Sequence, residues 1–429
     1  MSRFLFATVP AVGHTVPALP IAKALIDRGH SLRWYTGAAF ENQIASIGAT
    51  YCPMSEHDSS VVDENALQRS RLSGLRRLRF DLVNGFVRPV TAQIRDLREL
   101  LAAEPADVVV GDTGFLGGPL LQELGGPPFA AYGVTVAAFP GPDLAPFGLG
   151  LRPARGAMGR LRNRLLDRFV RAVLFREVLH TLNEIRRDLG LPESSKSLFE
   201  YPMGAPAYLQ LSPAGFEYPR DDLPDSIHFV GPPRPLPDPA WQPPAWWAEL
   251  ERAPLVVLVT QGTVATDSDQ LLTPALTALA AEDCLVVAVT GGPDPTVLGS
   301  VPANARVERR IPFDRLMPYV DVFVTNGGYG GVQLALADGV PVVVAGKTED
   351  KIEVAARVAF SGVGINLRTQ TPSADQLGRA VRRVLTEPRF AEAAGSLQAE
   401  IRAGGREEKA ASLLEEVARA SRQRRDRVV

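Results

Sequence analysis

The chain opens on RFLFATV at residues 3–9, an apolar run that predicts a buried strand. PAVGHTVP then reads as a tight loop. LPIAKALIDRGH has helical spacing and stops at Gly29, a C-cap signal, and SLRWYTG reads as a second strand. Strand, loop, helix and strand in that order imply parallel pairing through a right-handed crossover. ADVVVGD at 106–112 and PFAAYGVT at 128–135 add two strands, so a doubly wound sheet is expected over residues 1–215. Two stretches break this rhythm. Residues 55–100 are polar and then amphipathic, with RLSGLRRLRFDLVNGF among them, and 141–195 carry the basic run RPARGAMGRLRNRLLDRFVRAV. Inserts on an α/β scaffold commonly wall a ligand cleft. For the basic runs, solvated helix faces or contacts to DNA or phospholipid are the other readings.

PPRPLPDPAWQPPAWW at 232–247 disfavours helix and sheet and reads as a stiff linker within 216–247. Trp246 and Trp247 are expected to pack it against a domain; a proline-rich ligand for another protein is the rival. The pattern then restarts with LVVLVTQGTV at 255–264, CLVVAVTGG at 284–292, RVERRIPF, DVFVTNGG and VPVVVAG. These predict a second doubly wound domain at 248–395, followed by a C-terminal helix and charged tail at 396–429 whose last residues, SRQRRDRVV, are expected to fray. The fold class is α/β, with two Rossmann-like parallel-sheet domains facing a cleft.

Composition narrows the function classes. A length of 429 residues suits two or three domains. With 46 basic and 48 acidic residues, no overall positive field exists to hold nucleic acid. Cys52 and Cys284 exclude a disulfide framework and read as buried apolar groups or isolated thiols. Five scattered histidines show no ligand spacing, so no metal is expected. No stretch has the length of uncharged apolar chain that spans a bilayer, the first residues do not read as a signal peptide, and the cytoplasm is the default.

In open parallel sheets, ligands sit beyond the carboxyl ends of strands, so the loops there are the places for chemistry. His14, after the first strand, titrates near neutrality and can take a proton from a hydroxyl, or it merely caps the next helix. Asp112 in VVVGDTGF can hold the other ring nitrogen of His14, or be a helix N-cap. NGGYGG at 326–331 precedes a helical run, so its backbone can approach a diphosphate, or it is a flexible turn. Its spacing matches neither the dinucleotide fingerprint nor the P-loop. Asp350 and Lys351 in VVVAGKTEDK can meet sugar hydroxyls or form a solvated loop, and Gly262 and Thr263 in TQGTV face the same cleft. Phe80, Leu82, Val83 and Phe86 in the first insert, with Phe115 and Leu116 beyond Asp112, line an apolar acceptor pocket or belong to the core.

With GHTVP, VGP at 230–232 and the segment 310–364, the chain resembles the inverting GT-B glycosyltransferases of family 1, above all bacterial enzymes acting on macrolides and other natural products. The resemblance implies His14 as catalytic base and Asp112 as its support. The glycine-rich diphosphate signature usually opens with histidine, and here that position is Asn326. The resemblance leaves Gly328 and the backbone donors of Gly330, Gly331 and Val332 for the phosphates. In related plant enzymes a glutamate eight positions on holds the ribose; here Leu334 stands there, with Gln333 beside it. The plant acidic–glutamine pair becomes Asp350-Lys351, with Asp350 retained. RRIPF resembles the base-binding turn, with Ile311 offering backbone and Phe313 packing near the base.

The expected co-substrate is a UDP- or dTDP-sugar, without a cofactor, and the partner a small lipophilic acceptor such as a macrolide, ansamycin or other polyketide. A homodimer is compatible with the sequence, which marks no interface. The alternatives are a glycosyltransferase-like activator of impaired catalysis, a glycolipid glycosyltransferase and a sugar 2-epimerase of the same architecture.

Overall fold

Continuous apolar runs suit strands covered on both faces. The computed structural model, which describes residues 1–55, 71–72, 74–262 and 267–426, uses them that way. Among the described residues, seven parallel strands form a first sheet: β1 (Arg3–Ala7), β2 (Ser31–Thr36), β3 (Thr50–Pro53), β4 (Val108–Asp112), β5 (Phe129–Gly133), β6 (Tyr208–Gln210) and β7 (Ile227–Phe229). Their order is β3-β2-β1-β4-β5-β6-β7. A second sheet holds β8 (Val256–Thr260), β9 (Leu285–Val289), β10 (Ala305–Glu308), β11 (Val322–Thr325), β12 (Val342–Val344) and β13 (Gly364–Asn366), in the order β10-β9-β8-β11-β12-β13.

Alternate residues of each strand feed separate cores. Leu5, Ala7, Val109 and Ala131 lie in one, and Phe4, Phe6, Val108 and Val110 in another on the opposite face. In the second sheet Leu258, Val287 and Phe323 face one side, and Val257, Val259 and Val324 the other. Strand order turns around between β1 and β4 in the first sheet and between β8 and β11 in the second. Crossovers leave those neighbouring strand ends in opposite directions, which opens a crevice at each turn-around. Ala7 is in register with Gly111 across the first pair, and Thr260 with Thr325 across the second.

Two expectations about organisation need correction. First, β7 extends the first sheet into the stretch read as linker, because Ile227–Phe229 pairs in parallel with Tyr208–Gln210. The proline-rich part beyond it leans on the second half: Trp241, Trp246 and Trp247 pack against that core, and the Trp246 indole donates to Glu308 Oε1 at 2.8 Å. Second, the charged C-terminus does not fray before Asp426. The helix Arg406–Asp426 buries Ala410, Ala411, Leu414, Val417 and Ala418 against Phe4 and Phe6 of the first sheet. Its charges find partners there. Arg28 pairs with Glu408 at 2.5 Å and Glu415 at 3.0 Å, and Arg422 and Arg425 reach Asp107. Cys52 and Cys284 are buried free thiols. Among the described residues, no helix is long and apolar enough to cross a membrane.

Candidate active site

The one-turn helix Val12–Thr15 follows β1 and carries His14 to the first crevice, while Asp112 ends β4 beside it. Nδ1 of His14 stands 2.6 Å from Asp112 Oδ1. A carboxylate oxygen accepts, so Nδ1 carries the hydrogen and Nε2 of the neutral ring keeps its lone pair. Among the described residues nothing engages Nε2. Asp112 is fully buried, and its remaining capacity is filled by backbone: Val9 N–H donates to Oδ2 at 2.9 Å and Gly114 N–H to Oδ1 at 2.8 Å. It caps no helix; the following helix, Gly117–Glu123, begins at Leu116 without a side-chain cap. The Tyr132 hydroxyl donates to the His14 carbonyl at 2.6 Å and fixes the backbone that carries the ring. Burial pulls the His14 pKa down, but the charge and hydrogen bond of Asp112, with a further pull from Asp350, raise it above the ordinary histidine value.

Apolar groups around this pair divide into two sets. Phe86 lies over the histidine, ring centroids 5.9 Å apart, and a side chain at Gly114 would meet it at 2.6 Å, so glycine is required there. Phe80 is half-buried on the helix Gly74–Leu82. Phe115 and Leu116, by contrast, are core residues at 1% exposure each, with Phe115 edge-on to Tyr35 at 6.0 Å. The turn after β4 points them inward beneath the sheet. Val83 is core as well, and Leu82 packs against the same cluster.

The second crevice is built differently. Gly262 follows β8 with φ +77, a left-handed conformation, and its Cα side faces the Asn326 amide. Thr263 lies outside the described residues. Asn326 donates from Nδ2 to the Gln261 carbonyl, tying the loop after β11 to the loop after β8. One of the two N–H groups of that amide is thus engaged within the protein. Gly328 is the N-cap of the helix Tyr329–Ala337, without a side-chain cap. Tyr329, Gly330 and Gly331 open the helix, where N–H groups have no intrahelical acceptor. Val332 corrects the expectation: its N–H donates to the Gly328 carbonyl at 3.1 Å and is not free. Phe313 stands beside this turn, 3.8 Å from where a Gly331 side chain would begin, and meets Phe323 edge-on. The Ile311 side chain is buried in the core, leaving only its backbone to a ligand.

Asp350 closes the crevice from the second half. Its Oδ2 accepts from the Thr135 hydroxyl at 2.7 Å, and burial raises its pKa above the usual carboxylate value. Lys351 does not face the cleft freely: its ammonium pairs with Glu349 at 2.5 Å and its stem is buried. Among the described residues, no group of three or more His, Cys, Asp or Glu is placed to hold a metal ion.

A histidine–aspartate pair thus faces a glycine-opened helix across two sheets of the same winding. A solved structure, the glycotransferase of kitacinnamycin, superposes with a TM-score of 0.74 over 97% of this chain and 98% of its own at 23% identity, and shares the fold. Residues 273–417 match the family described as erythromycin biosynthesis protein CIII-like, C-terminal domain. The chain is 46% identical over 393 residues to a 4'-demethylrebeccamycin synthase of Lentzea aerocolonigenes, covering 91% of this chain and 93% of that one. It is 33% identical over 409 residues to UDP-glucosyltransferase A1 of Starmerella bombicola, covering 92% and 87%. The chain belongs to the GT-B glycosyltransferases of family 1.

This glycosyltransferase also joins its halves through residues that the sequence did not single out. Gln210 Nε2 on β6 donates to the Tyr329 hydroxyl at 2.6 Å and to the Thr135 carbonyl at 2.8 Å. Lower in the seam, Arg357 is flanked by Glu217 at 2.5 Å and Glu353 at 2.9 Å, and its guanidinium lies over the Tyr218 ring at 4.3 Å. Glu353 also accepts from the backbone of Gly148 and Gly150, both at 2.8 Å. A polar Gln210 in a buried strand and the i,i+4 pair Glu353–Arg357 were visible signals; Glu217 had none.

Proposed function

We propose that this enzyme moves a hexose or deoxyhexose from a UDP- or dTDP-sugar to a hydroxyl of a lipophilic natural product, inverting the anomeric carbon. The observation that carries this reading is the buried Asp112 holding Nδ1 of His14 while Nε2 stays unengaged. The first sheet takes the acceptor, whose apolar body lies against Phe86 and Phe80, and the second takes the donor. As the acceptor oxygen bonds to the anomeric carbon, its proton passes to Nε2 and Asp112 stabilises the imidazolium. The anomeric carbon–oxygen bond to the diphosphate breaks on the opposite face. The departing charge is met by the first N–H groups of the helix Tyr329–Ala337 and by its dipole. Asp350 accepts hydrogen bonds from donor-sugar hydroxyls. The relatives named for 4'-demethylrebeccamycin synthesis and for UDP-glucosyl transfer support the substrate classes. An activator of impaired catalysis is disfavoured, because it has no need of a histidine with its own buried carboxylate.

The test is transfer from UDP- and dTDP-sugars to a panel of macrolides, ansamycins and flavonoids, read by mass spectrometry, with His14→Ala alongside. The expected result is an acceptor mass raised by one sugar residue, with transfer lost in the variant while nucleotide-sugar binding is kept. Transfer at the wild-type rate in His14→Ala would overturn the base assignment.

A further inference from the structure

The helix Gly156–Val173 leaves a large apolar face without a partner among the described residues. Met158 is 87% exposed, Leu161 54%, Leu165 60% and Phe169 63%. Spacings of three and four residues align these side chains in one stripe, about 16 Å long at 1.5 Å per residue. The opposite face is anchored: Asn163 and Val170 are buried, and the Asn163 amide donates to the Pro142 carbonyl at 3.2 Å. The stripe is therefore a fixed outward face of a well-seated helix.

Its flanks are basic. On a helical wheel Arg162 borders one side of the stripe, and Arg164 and Arg168 the other. Arg164 and Arg168 are exposed and pair with no acid among the described residues. Arg160 and Arg171 do find acids, in Asp143 and Asp167. Asp167 is the helix's single acid, against five arginines, while the whole chain carries a net charge of −2. Positive charge is thus concentrated around the apolar stripe.

We propose that this helix lies in the surface of an anionic phospholipid bilayer, its Met158–Phe169 stripe among the acyl chains and its arginines on the headgroup phosphates. A helix with one apolar face and an arginine-rich border suits that boundary, where apolar burial and attraction to anionic lipid act together. A second copy of this chain is a poorer occupant. Face-to-face packing of two such helices would bring arginine borders of like charge together. The enzyme would then work at the surface in which a lipophilic acceptor partitions; that last consequence rests on the acceptor reading above, but the docking itself does not.

The test is co-sedimentation of the full-length chain with vesicles of phosphatidylcholine alone or with 30% phosphatidylglycerol, about a third of the lipid being ample to set a negative surface potential. The expected result is binding to the anionic vesicles at least tenfold above the neutral ones, weakened by added salt. Leu165→Glu with Phe169→Glu should cut the bound fraction about tenfold or more, since each removes apolar burial. Arg164→Glu with Arg168→Glu should erase the preference for anionic lipid. Circular dichroism and thermal melting should match wild type in both variants, because every altered side chain is exposed. Absence of binding to anionic vesicles at low salt would overturn the proposal. So would binding that neither double variant changes. A wild-type dimer in light scattering that Leu165→Glu splits, with no vesicle binding, would assign the face to a second copy instead.

Discussion

The loops after β1 and β4 and the loops after β8 and β11 hold equivalent places in two sheets of the same winding, yet they are made of different material. In the first crevice the groups proposed to work are side chains. His14 and Asp112 meet at 2.6 Å, and the backbone around them serves only to hold the carboxylate. In the second, the groups proposed to work are backbone N–H donors at a helix start, and the side chains hold the loops. Asn326 ties two loops together, and Lys351 is paired with Glu349. The difference follows from the ligands each would meet. A proton must be moved by a titrating group, whereas a diphosphate is met well by a fixed array of N–H groups and a dipole.

The largest effect should come from the charge that supports the base. Asp112→Asn is expected to lower kcat by about 10³-fold, within the range of general base catalysis. It should also move the pH profile. The reacting histidine must be neutral, so wild-type activity falls as pH drops through a pKa that Asp112 holds above the ordinary value. Asparagine removes the raising influences of Asp112 and leaves burial, which lowers the pKa and outweighs the remaining pull of Asp350. The acid limb should therefore shift to lower pH while donor KM stays within about twofold. A slower enzyme with an unmoved limb would show that the two side chains do not act as a unit.

The seam between the halves is built from side chains like the first crevice, and it should respond in stability. Arg357→Met would leave Glu217 and Glu353 buried at 3% and 7% exposure without their cation. Breaking a buried ion pair from one side costs about 3 kcal/mol or more. A fall of that size in the unfolding free energy, read from urea midpoint and slope, is expected, with donor affinity kept once the protein is folded. A loss near zero would mean that the halves are held elsewhere, at Thr135–Asp350 and Gln210–Tyr329.

A smaller and more selective effect should separate backbone from side chain in the second crevice. A side chain at Gly330 meets nothing within 4 Å, so Gly330→Ala should leave donor KM within about twofold. Gly330→Pro keeps the space but deletes one N–H that the helix itself does not use. Loss of one charge-assisted hydrogen bond, about 1.5 kcal/mol, should raise donor KM roughly tenfold. Equal effects from both substitutions would mean that the turn's shape matters and its N–H group does not.

How much of this was legible in the sequence differs between the halves for the same reason. Buried strands declared themselves as apolar runs, and their order implied both crevices. His14 and Asp112 were visible because titrating side chains at strand ends are conspicuous. Phe115 and Leu116 were misplaced because composition cannot say which way a turn points a side chain. Val332 was misread because a hydrogen-bond partner one helical turn back leaves no mark in a motif. The seam was least legible: Glu217 and Arg357 lie 140 residues apart, and neither local pattern foretells the other. The last residues, SRQRRDRVV, looked like a fraying tail because nothing local shows that Arg422 and Arg425 reach Asp107, some 300 residues back.

Asn326 gives the smallest effect and the sharpest contrast. It stands where relatives of this kind commonly carry a histidine, so a substitution there should weaken donor binding if the side chain meets a phosphate. The geometry gives the side chain a structural task, since one Nδ2 hydrogen is held by the Gln261 carbonyl. Asn326→Ala would remove that hydrogen bond from a site that is 8% exposed at Asn326 and 2% at Gln261. Loss of one buried hydrogen bond costs about 1 kcal/mol. The variant should therefore show a lower melting temperature, with donor KM and kcat changed by less than about threefold once folded, because the N–H groups of Gly330 and Gly331 are untouched. Thermal melting and initial rates on one preparation distinguish the two roles. A tenfold rise in donor KM with an unchanged melting temperature would put the side chain on the diphosphate and make the second crevice, like the first, a site of side-chain chemistry.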